Sequence, residues 1–292
     1  MSLTEEDWRR IAKGMVDRNN EKESIAETGL YMGGEQIVER LLPGSSVLHA
    51  SLEDVIRAGI GALADRYLTN LLSEREVADR IMESISRKEG LSLVRFGDGE
   101  LLTLAQETVL SIEEVKRLGS FLPYAGVVVP DLEARDALLQ TFYKADIVGI
   151  PIIRRPTYQN LFIRLAKHYD LPLNKLRLTS SIINYTLQNT DIYRNIFFND
   201  QNKILLIGNR MAELKEHLER NGCRTIVGTI PVEGVKSVRK VVRKAKAYEY
   251  DIAIVSGGVS ATIICPLLSE KGKIAIDFGH LSDELIYQNR MI

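Results

Sequence analysis

The chain has few of the features that mark secreted, membrane-spanning or nucleic-acid-binding proteins. Its two cysteines, Cys223 and Cys265, have no CxxC partner and no histidines at zinc spacing, which favours two reduced, buried thiols in a reducing, cytoplasmic setting. No apolar run approaches the roughly 20 residues that span a bilayer. The formal net charge of −1 provides no field to attract nucleic acid, so no nucleic-acid partner is expected.

The N-terminal residues also lack the pattern of a targeting signal. Met1 to Arg10 are rich in charge and no apolar segment follows them, which predicts that there is no secretory signal peptide. A composition with 45% hydrophobic residues and little net charge excludes general disorder and allows a sizeable core. Length alone predicts one or two domains.

The first part of the chain has a helical pattern. Gly90 is expected to end the last of its helices in a left-handed turn, and the polar segment Asn19–Gly34 is expected to form a loop or hinge. We therefore predict a helical N-terminal extension over residues 1–72 and a main domain over residues 73–292. Hydroxyl–acid pairs predict three helix starts: Thr4 with Asp7, Ser51 with Asp54, and Ser73 with Glu76.

From Leu91 onward, short β-branched runs alternate with amphipathic helical runs. Strands that are buried on both faces have unbroken apolar sequences, and residues 204–207 are such a run. The alternation predicts an α/β fold with a Rossmann-like, doubly wound and mostly parallel sheet. The candidate strands are Leu91–Phe96, Gly126–Val129, Ile147–Ile150, Lys203–Ile207, Thr225–Ile230, Ile252–Val255 and Lys273–Ile276, and the candidate helices between them include Met211–Asn221 and Val235–Tyr248.

Two carboxylates follow the first of these strands, in the sequence Arg95-Phe96-Gly97-Asp98-Gly99-Glu100. Ligands of α/β folds collect where parallel strands end. Mg²⁺ and Mn²⁺ usually take one or two protein carboxylates together with substrate phosphates. Because Gly97 and Gly99 permit a sharp turn, Asp98 and Glu100 are candidate ligands of one cation. An acidic surface turn is the alternative.

Three arginines are candidate phosphate ligands. Arg95 lies at the end of an apolar run, where an unpaired charge is costly, so we expect it to face a substrate phosphate or a protein carboxylate such as Asp98. Arg154 and Arg155 follow the candidate strand Ile147–Ile150, and paired arginines can hold phosphate in a fork geometry. A surface loop with solvated arginines is the alternative for this pair.

A glycine-rich turn, Ser256-Gly257-Gly258-Val259-Ser260, lies between a candidate strand and a candidate helix. Small residues at such a place expose backbone N–H groups beside the positive end of a helix. Gly257, Gly258 and Ser260 are therefore candidate phosphate contacts. The turn is neither a Walker A loop nor a GxGxxG fingerprint, and a tight connection capped by Ser260 explains it equally well.

The last candidate strand leads into Asp277-Phe278-Gly279-His280. A carboxylate and an imidazole at the carboxyl end of a strand can act as a base and its orienting partner. Asp277 and His280 are therefore candidate catalytic residues. His280 can instead cap the closing helix, and the sequence leaves both possibilities open.

The segment Arg95–Glu100 resembles the surroundings of the Asp-x-Glu motif in bacterial glycosyltransferases of the GT-D fold, long catalogued as a domain of unknown function. The resemblance covers roughly Ser73 to the C-terminus. It implies a nucleotide-sugar donor, Mn²⁺ or Mg²⁺ held on the diphosphate by Asp98 and Glu100, and Arg95 near the donor phosphates. It extends more loosely to three later segments: Lys203–Gly208, Asp251–Ser260 and Ile274–His280.

The motifs and the resemblance together predict a metal-dependent glycosyltransferase. Its donor would be a nucleoside-diphosphate sugar, with UDP the favoured nucleotide, and its acceptor a bacterial glycan or glycoprotein. A metal-dependent nucleotide phosphohydrolase and a non-catalytic nucleotide-binding scaffold are the alternatives. The basic outer face of the candidate helix Val235–Tyr248 is typical of a solvated surface or of a peripheral contact with anionic lipid at the inner membrane face. A homo-oligomer is equally compatible with the sequence.

Overall fold

The structure, a computed structural model, describes residues 25, 27–29, 31–44, 46–269 and 272–288. The chain divides into two compact units, residues 1–68 and 69–292. The first unit contains a π-helical turn over Tyr31–Glu35 and the helices α1 (Gln36–Leu41) and α2 (Leu52–Tyr67). The helix predicted to start at Thr4 lies outside the described residues. Half of the segment predicted to be a loop, Asn19–Gly34, also lies outside them, and its described residues, 25, 27–29 and 31–34, are helical, so the loop prediction is wrong there.

The second unit alternates strands and helices. Its strands are β1 (Leu91–Arg95), β2 (Ile147–Ile150), β3 (Leu178–Ser180), β4 (Ile204–Gly208), β5 (Ile226–Ile230), β6 (Ile252–Ser256) and β7 (Ile274–Asp277). Its helices are α3 (Glu74–Arg87), α4 (Asp98–Leu104), α5 (Ile112–Leu118), α6 (Leu132–Lys144), α7 (Gln159–His168), α8 (Ile183–Thr186), α9 (Ile192–Phe197), α10 (Met211–Arg220), α11 (Val238–Ala245), α12 (Val259–Leu268) and α13 (Leu281–Gln288). Short 3₁₀ turns lie at Leu173–Lys175, Leu187–Asn189 and Val235–Ser237.

The strands form one sheet in the order β3-β2-β1-β7-β6-β4-β5. Every strand pair is parallel; Leu93 of β1, for example, lies opposite Ile147 of β2 on one side and Ile276 of β7 on the other. The α/β prediction is therefore confirmed, with a sheet that is fully rather than mostly parallel. Because all carboxyl ends lie along one edge, the residues that follow β1, β4, β6 and β7 are close to one another.

Helices cover both faces of this sheet. Alternate residues of a strand point to opposite faces, so Leu205 and Ile207 belong to one buried cluster with residues of α4, α6, α7, α11 and α12. Ile204 and Leu206 belong to the second cluster, with residues of α3, α9, α10 and α13. Both faces of the central strands are consequently apolar, which explains their unbroken hydrophobic sequences. Among the described residues, no helix combines the length and apolarity that a membrane crossing requires.

Two strand assignments differ from the sequence prediction. The predicted strand Gly126–Val129 is an irregular segment, because Gly126 has a φ of +90° and packs its backbone against Gly234. The carbonyl of Gly126 accepts a hydrogen bond from Val235 N at 3.0 Å instead of joining the sheet. Conversely, β3 was not predicted, because its three residues, Leu-Thr-Ser, carry no apolar pattern.

The helix starts predicted at Ser51 and Ser73 are confirmed as capping boxes. Ser73 N donates to Glu76 Oε2 at 2.8 Å, and Glu76 N donates to Ser73 Oγ at 3.3 Å. The prediction that Gly90 ends α3 in a left-handed turn is wrong. Lys88, with a φ of +54°, is the left-handed residue at the end of this helix. Gly90 instead allows its backbone to approach that of Ser269, since a Cβ at position 90 would overlap the carbonyl oxygen of Ser269.

Ser73→Ala is expected to lower the free energy of unfolding by about 1 kcal/mol, because it leaves a helix N-terminal amide without its acceptor. Urea denaturation followed by circular dichroism measures the change. Ser86→Ala is the matched control, since the Ser86 hydroxyl is bonded to the carbonyl of Glu83 near the other end of the same helix. Equal losses in both variants would contradict the capping role.

Candidate active site

A cavity of about 520 Å³ lies at the carboxyl ends of β1, β4, β6 and β7. This volume lies in the range of small-molecule sites, and the position is the one at which α/β folds bind ligands. Its walls combine glycine backbone with charged side chains. The charged or polar side chains in the wall are Arg95, Asp98, Glu100, Asn209, Arg210, Ser256, Asp277, His280 and Asp283.

Most of the predicted site residues meet in this cavity. Arg95, Gly97, Asp98 and Glu100 come from the turn after β1, Gly257 and Gly258 from the turn after β6, and Asp277 and His280 from the end of β7. They are far apart in sequence and are brought together because β1, β7 and β6 are neighbours in the parallel sheet.

Three predicted site residues are not in the wall of the cavity. Arg154 and Arg155 are exposed on the loop after β2, where Arg154 Nη1 donates to Gln159 Oε1 at 3.0 Å. Ser260 is fully buried within α12, and its hydroxyl has no hydrogen-bond partner within the described part of the chain. The residue that caps α12 is Gly258. The structure therefore corrects the assignment of all three as substrate contacts of this cavity.

Arg95 is held by the protein itself. Its Nη2 donates to Asp277 Oδ1 at 3.0 Å, and its Nε donates to the Asp277 carbonyl at 3.3 Å. Its Nη1 donates to the carbonyl of Ser181 at 3.1 Å and to Asn184 Oδ1 at 3.0 Å. One guanidinium thus fixes the end of β1 to the end of β7 and to the turn between β3 and α8.

This arrangement gives Arg95 protein partners, although Arg95 also lines the cavity, so its role as a phosphate ligand stays a prediction. A guanidinium has five N–H donors, and at Arg95 protein oxygens accept four of them. The anionic partner expected from the sequence is Asp277, not Asp98. Burial opposes the charged form of Arg95, but the charge and hydrogen bond of Asp277 outweigh it and raise the Arg95 pKa. Burial raises the pKa of Asp277, and Arg95 opposes that rise.

The surrounding backbone is shaped to this ion pair. Gly279 has a φ of +55°, and a Cβ there would overlap the Arg95 guanidinium. Gly279 N donates to Asp277 Oδ1 at 3.1 Å, and Ser256 Oγ donates to the carbonyl of Gly279 at 2.6 Å. Asn184 Nδ2 donates to the carbonyl of Phe278 at 3.0 Å, so the ends of β6 and β7 and the helix α8 belong to the same network.

Asp98 and Glu100 lie in the first turn of α4. Gly97 N donates to Glu100 Oε2 at 2.8 Å, and Gly99 N donates to Asp98 Oδ1 at 3.0 Å. These bonds fix both carboxylates at the wall of the cavity and use one oxygen of each. Burial raises the pKa of Glu100 to about 7, and the negative charge of Asp277 adds to that effect.

The two carboxylates suit a hard divalent cation. Their oxygens are the donors that Mg²⁺ and Mn²⁺ prefer, and Arg95, whose charge acts on Glu100, is paired with Asp277. Within the described residues, no three or more His, Cys, Asp or Glu side chains are grouped so that they can hold a metal. A cation held by Asp98 and Glu100 would thus find no third carboxylate, imidazole or thiolate among these residues.

A second polar cluster lies at the rim. His280 Nδ1 is 3.2 Å from Asp283 Oδ2, and Arg210 Nη1 donates to Asp283 Oδ1 at 2.9 Å. The His280 side chain is 69% exposed, so its Nε2 is open to a second reactant. Arg210 also pairs with Glu213 and stacks on Tyr287. Arg210 was not predicted as a site residue. The signal in the sequence that identifies it is its position just after the end of β4.

The segment Phe121–Gly126 forms a further wall that no sequence motif indicated. Val259 N donates to the carbonyl of Ala125 at 3.3 Å. Gly258, with a φ of +53°, approaches the same carbonyl so closely that a Cβ would lie 2.7 Å from its oxygen. Phe121 and Tyr124 are 38% and 86% exposed and border the cavity, so their rings are available to a planar ligand.

The second unit resembles known proteins. Residues 72–285 match the family described as GT-D fold-like domain. A glycosyltransferase with domain of unknown function 1792 from Streptococcus sanguinis is 15% identical, with 75% of this chain and 85% of that chain covered and a TM-score of 0.49. A structure described as a distinct glycosyltransferase fold of the same domain is also 15% identical, with 80% and 85% covered and a TM-score of 0.45. No curated protein shows a significant match.

Arg95→Met and Asp277→Leu are each expected to lower the free energy of unfolding by about 3–5 kcal/mol, because each leaves a buried charge unpaired. The double variant is expected to lose less than the sum of the single losses. Chemical denaturation of all four proteins in the cycle measures this coupling.

The control is the exposed pair Arg87–Glu83 on α3. Arg87→Met is expected to change the free energy of unfolding by less than about 1 kcal/mol. Additive losses at Arg95 and Asp277, or losses as small as that of the control, would show that the pair does not hold the strand ends together.

Proposed function

The chain belongs to the family of GT-D fold-like domains, and from that premise we propose that it is a glycosyltransferase. It transfers a sugar from a nucleoside-diphosphate sugar, UDP being the proposed nucleotide, to a glycan or glycoprotein acceptor in the cytoplasm. Family membership gives the fold, and the site must carry the function. The observation that carries the proposal is the pair of carboxylates, Asp98 and Glu100, in the wall of a glycine-rich cavity at the strand ends.

The backbone of the cavity supports binding of a diphosphate. Gly257 and Gly258 line the cavity with backbone that carries no side chain, whereas the N–H groups of Gly97 and Gly279, which also line it, already donate to Glu100 and Asp277. Phosphate oxygens accept hydrogen bonds from N–H groups at such turns and at helix N-termini. The carboxylates in the same wall would repel a diphosphate, so the two anionic groups are compatible only when a cation lies between them.

We therefore propose that Asp98 and Glu100 hold Mn²⁺ or Mg²⁺, with substrate phosphate among the other ligands. Such an ion, when bound, stabilises the negative charge of the leaving nucleoside diphosphate as a Lewis acid. Arg95 supports the site indirectly, since it fixes the strand end from which Asp98 and Glu100 follow. The hydrogen bond from Gly97 N to Glu100 keeps that carboxylate oriented before any ligand arrives.

His280 is the proposed base for the acceptor hydroxyl. Its Nε2 is open to the cavity rim, while Asp283 faces Nδ1 and favours the tautomer whose proton is on Nδ1. The acceptor proton would pass to Nε2 as the hydroxyl oxygen attacks the sugar. Arg210 holds Asp283 in place. Asp277, the other candidate base, is occupied by Arg95 and is 4% exposed, which argues against a proton-transfer role.

Asp98→Asn and Glu100→Gln are expected to reduce transfer at least about 100-fold, because each removes one charged ligand of the cation. Nucleoside diphosphate release from a panel of UDP-, GDP-, dTDP- and CDP-sugars with Mn²⁺ measures the loss. Transfer at nearly the wild-type rate in both variants would refute the metal assignment. Phosphate release that exceeds sugar transfer in the wild type would favour a phosphohydrolase.

Glu114→Gln is the matched control for Glu100→Gln. Glu114 occupies the same third position of a helix, α5, and accepts a 2.8 Å hydrogen bond from Ser111 N outside the cavity. Both substitutions therefore remove the charge of a helix-capping carboxylate, but only Glu100→Gln also removes a proposed ligand of the cation. Transfer is expected to be unchanged in Glu114→Gln.

His280→Gln is expected to lower kcat by about 10²–10⁴-fold and to leave the KM for the donor nearly unchanged, because it removes a base but no donor contact. Steady-state kinetics over a range of pH measures both constants. His168→Gln, at the exposed end of α7, is the control. A kcat equal to that of the control would show that another group accepts the proton.

A further inference from the structure

Six exposed cations follow one another along α11 and the turns at its two ends. We refer to Lys236, Arg239, Lys240, Arg243, Lys244 and Lys246 as the basic face. At 100° per residue they fall within an arc of about 160°. The opposite side of the same helix contributes Val238, Val241 and Ala245 to the core, so the orientation of the basic face is fixed by packing.

Within the described part of the chain, acidic side chains neutralise little of the basic face. No acidic residue occurs from Val235 to Tyr248 in the sequence, although the whole chain has a formal charge of −1. Glu233 Oε2 lies 4.0 Å from Lys240 Nζ, at the limit of an ion pair, and Glu249 is paired with Lys203. The positive charge is thus concentrated in one surface of a chain that is otherwise slightly acidic.

This concentration is unfavourable for the helix itself. Lys236 and Lys240, Arg239 and Arg243, and Lys240 and Lys244 are like-charged pairs four residues apart, and each destabilises a helix by a few tenths of a kcal/mol. The cations of the first turn also face the positive end of the helix dipole. Neither the fold nor the cavity gains from these side chains, which is the pattern of a surface that meets an external anion.

The position of the basic face favours an anionic lipid surface as its external partner. The apolar side of α11 is buried, so the helix cannot insert into a bilayer and can only adsorb through its charges. Four to eight Lys and Arg residues on one helical face are typical of binding to anionic headgroups. The helix also begins beside the cavity, because Gly234 lines the cavity and accepts a 2.7 Å hydrogen bond from Ser237 Oγ.

We propose that the basic face binds an anionic phospholipid surface and thereby places the mouth of the cavity next to that surface. The contact is electrostatic and is expected to weaken as salt rises, because the Debye length falls to about 8 Å at 0.15 M. The proposal does not rest on the transferase function, since adsorption requires neither donor nor acceptor.

Co-sedimentation with vesicles tests the proposal. The wild-type chain is expected to sediment with phosphatidylglycerol vesicles at low salt and not with phosphatidylcholine vesicles. A variant with Arg239→Gln, Lys240→Gln, Arg243→Gln and Lys244→Gln is expected to bind at least about tenfold more weakly, since each cation near the surface contributes about fivefold. Glutamine keeps helix propensity, so the variant is expected to melt no lower than the wild type.

The control removes the same number of charges from other helices: Lys116→Gln, Arg117→Gln, Lys144→Gln and Lys167→Gln, all at exposed positions. It is expected to sediment nearly as the wild type does. Equal binding of both variants, or no wild-type binding to phosphatidylglycerol at low salt, would overturn the proposal. Binding to soluble polyphosphate without binding to vesicles would overturn it in favour of a soluble polyanion.

Discussion

The ion pair between Arg95 and Asp277 is the interaction on which the site depends. It joins strands that are neighbours in the sheet but separated by 182 positions in the chain. Its side chains are 17% and 4% exposed, and hydrogen bonds from Arg95 Nη1 to Ser181 and Asn184 help to offset the cost of burying the pair. Any side chain at Gly279 would displace it.

The pairing also determines the electrostatics of the cavity. Burial and the negative charge of Asp277 raise the pKa of Glu100 to about 7, and the positive charge of Arg95 opposes that rise only in part. Asp98 and Glu100 are half-buried, and two neighbouring carboxylates repel each other unless a cation lies between them. The glycine turns beside these carboxylates are open to phosphate, and the cluster of His280, Asp283 and Arg210 at the rim is open to a second reactant.

Sequence reasoning identified the central strands well because burial on both faces leaves unbroken apolar runs such as residues 204–207. It also located Asp98 and Glu100, since their signal is local. It failed where contacts are distant in sequence: nothing near Arg95 indicates Asp277 as its partner. It failed again at β3, which is short and polar, and at Arg154 and Arg155, whose loop leads away from the cavity. The prediction of two buried, unpaired thiols is confirmed, since both cysteines are free and buried.

The proposed function requires that the cavity bind a metal ion and a nucleoside diphosphate together. Thermal melts of the wild-type chain with UDP, GDP, dTDP or CDP, each with and without Mn²⁺, test it most directly. A ligand at about 100 times its Kd adds roughly 2.7 kcal/mol to the free energy of unfolding, which raises the Tm by a few degrees. We expect the Tm to rise only when Mn²⁺ and one of the nucleotides are both present. An equal rise with the nucleotide alone, or no rise with any combination, would contradict it.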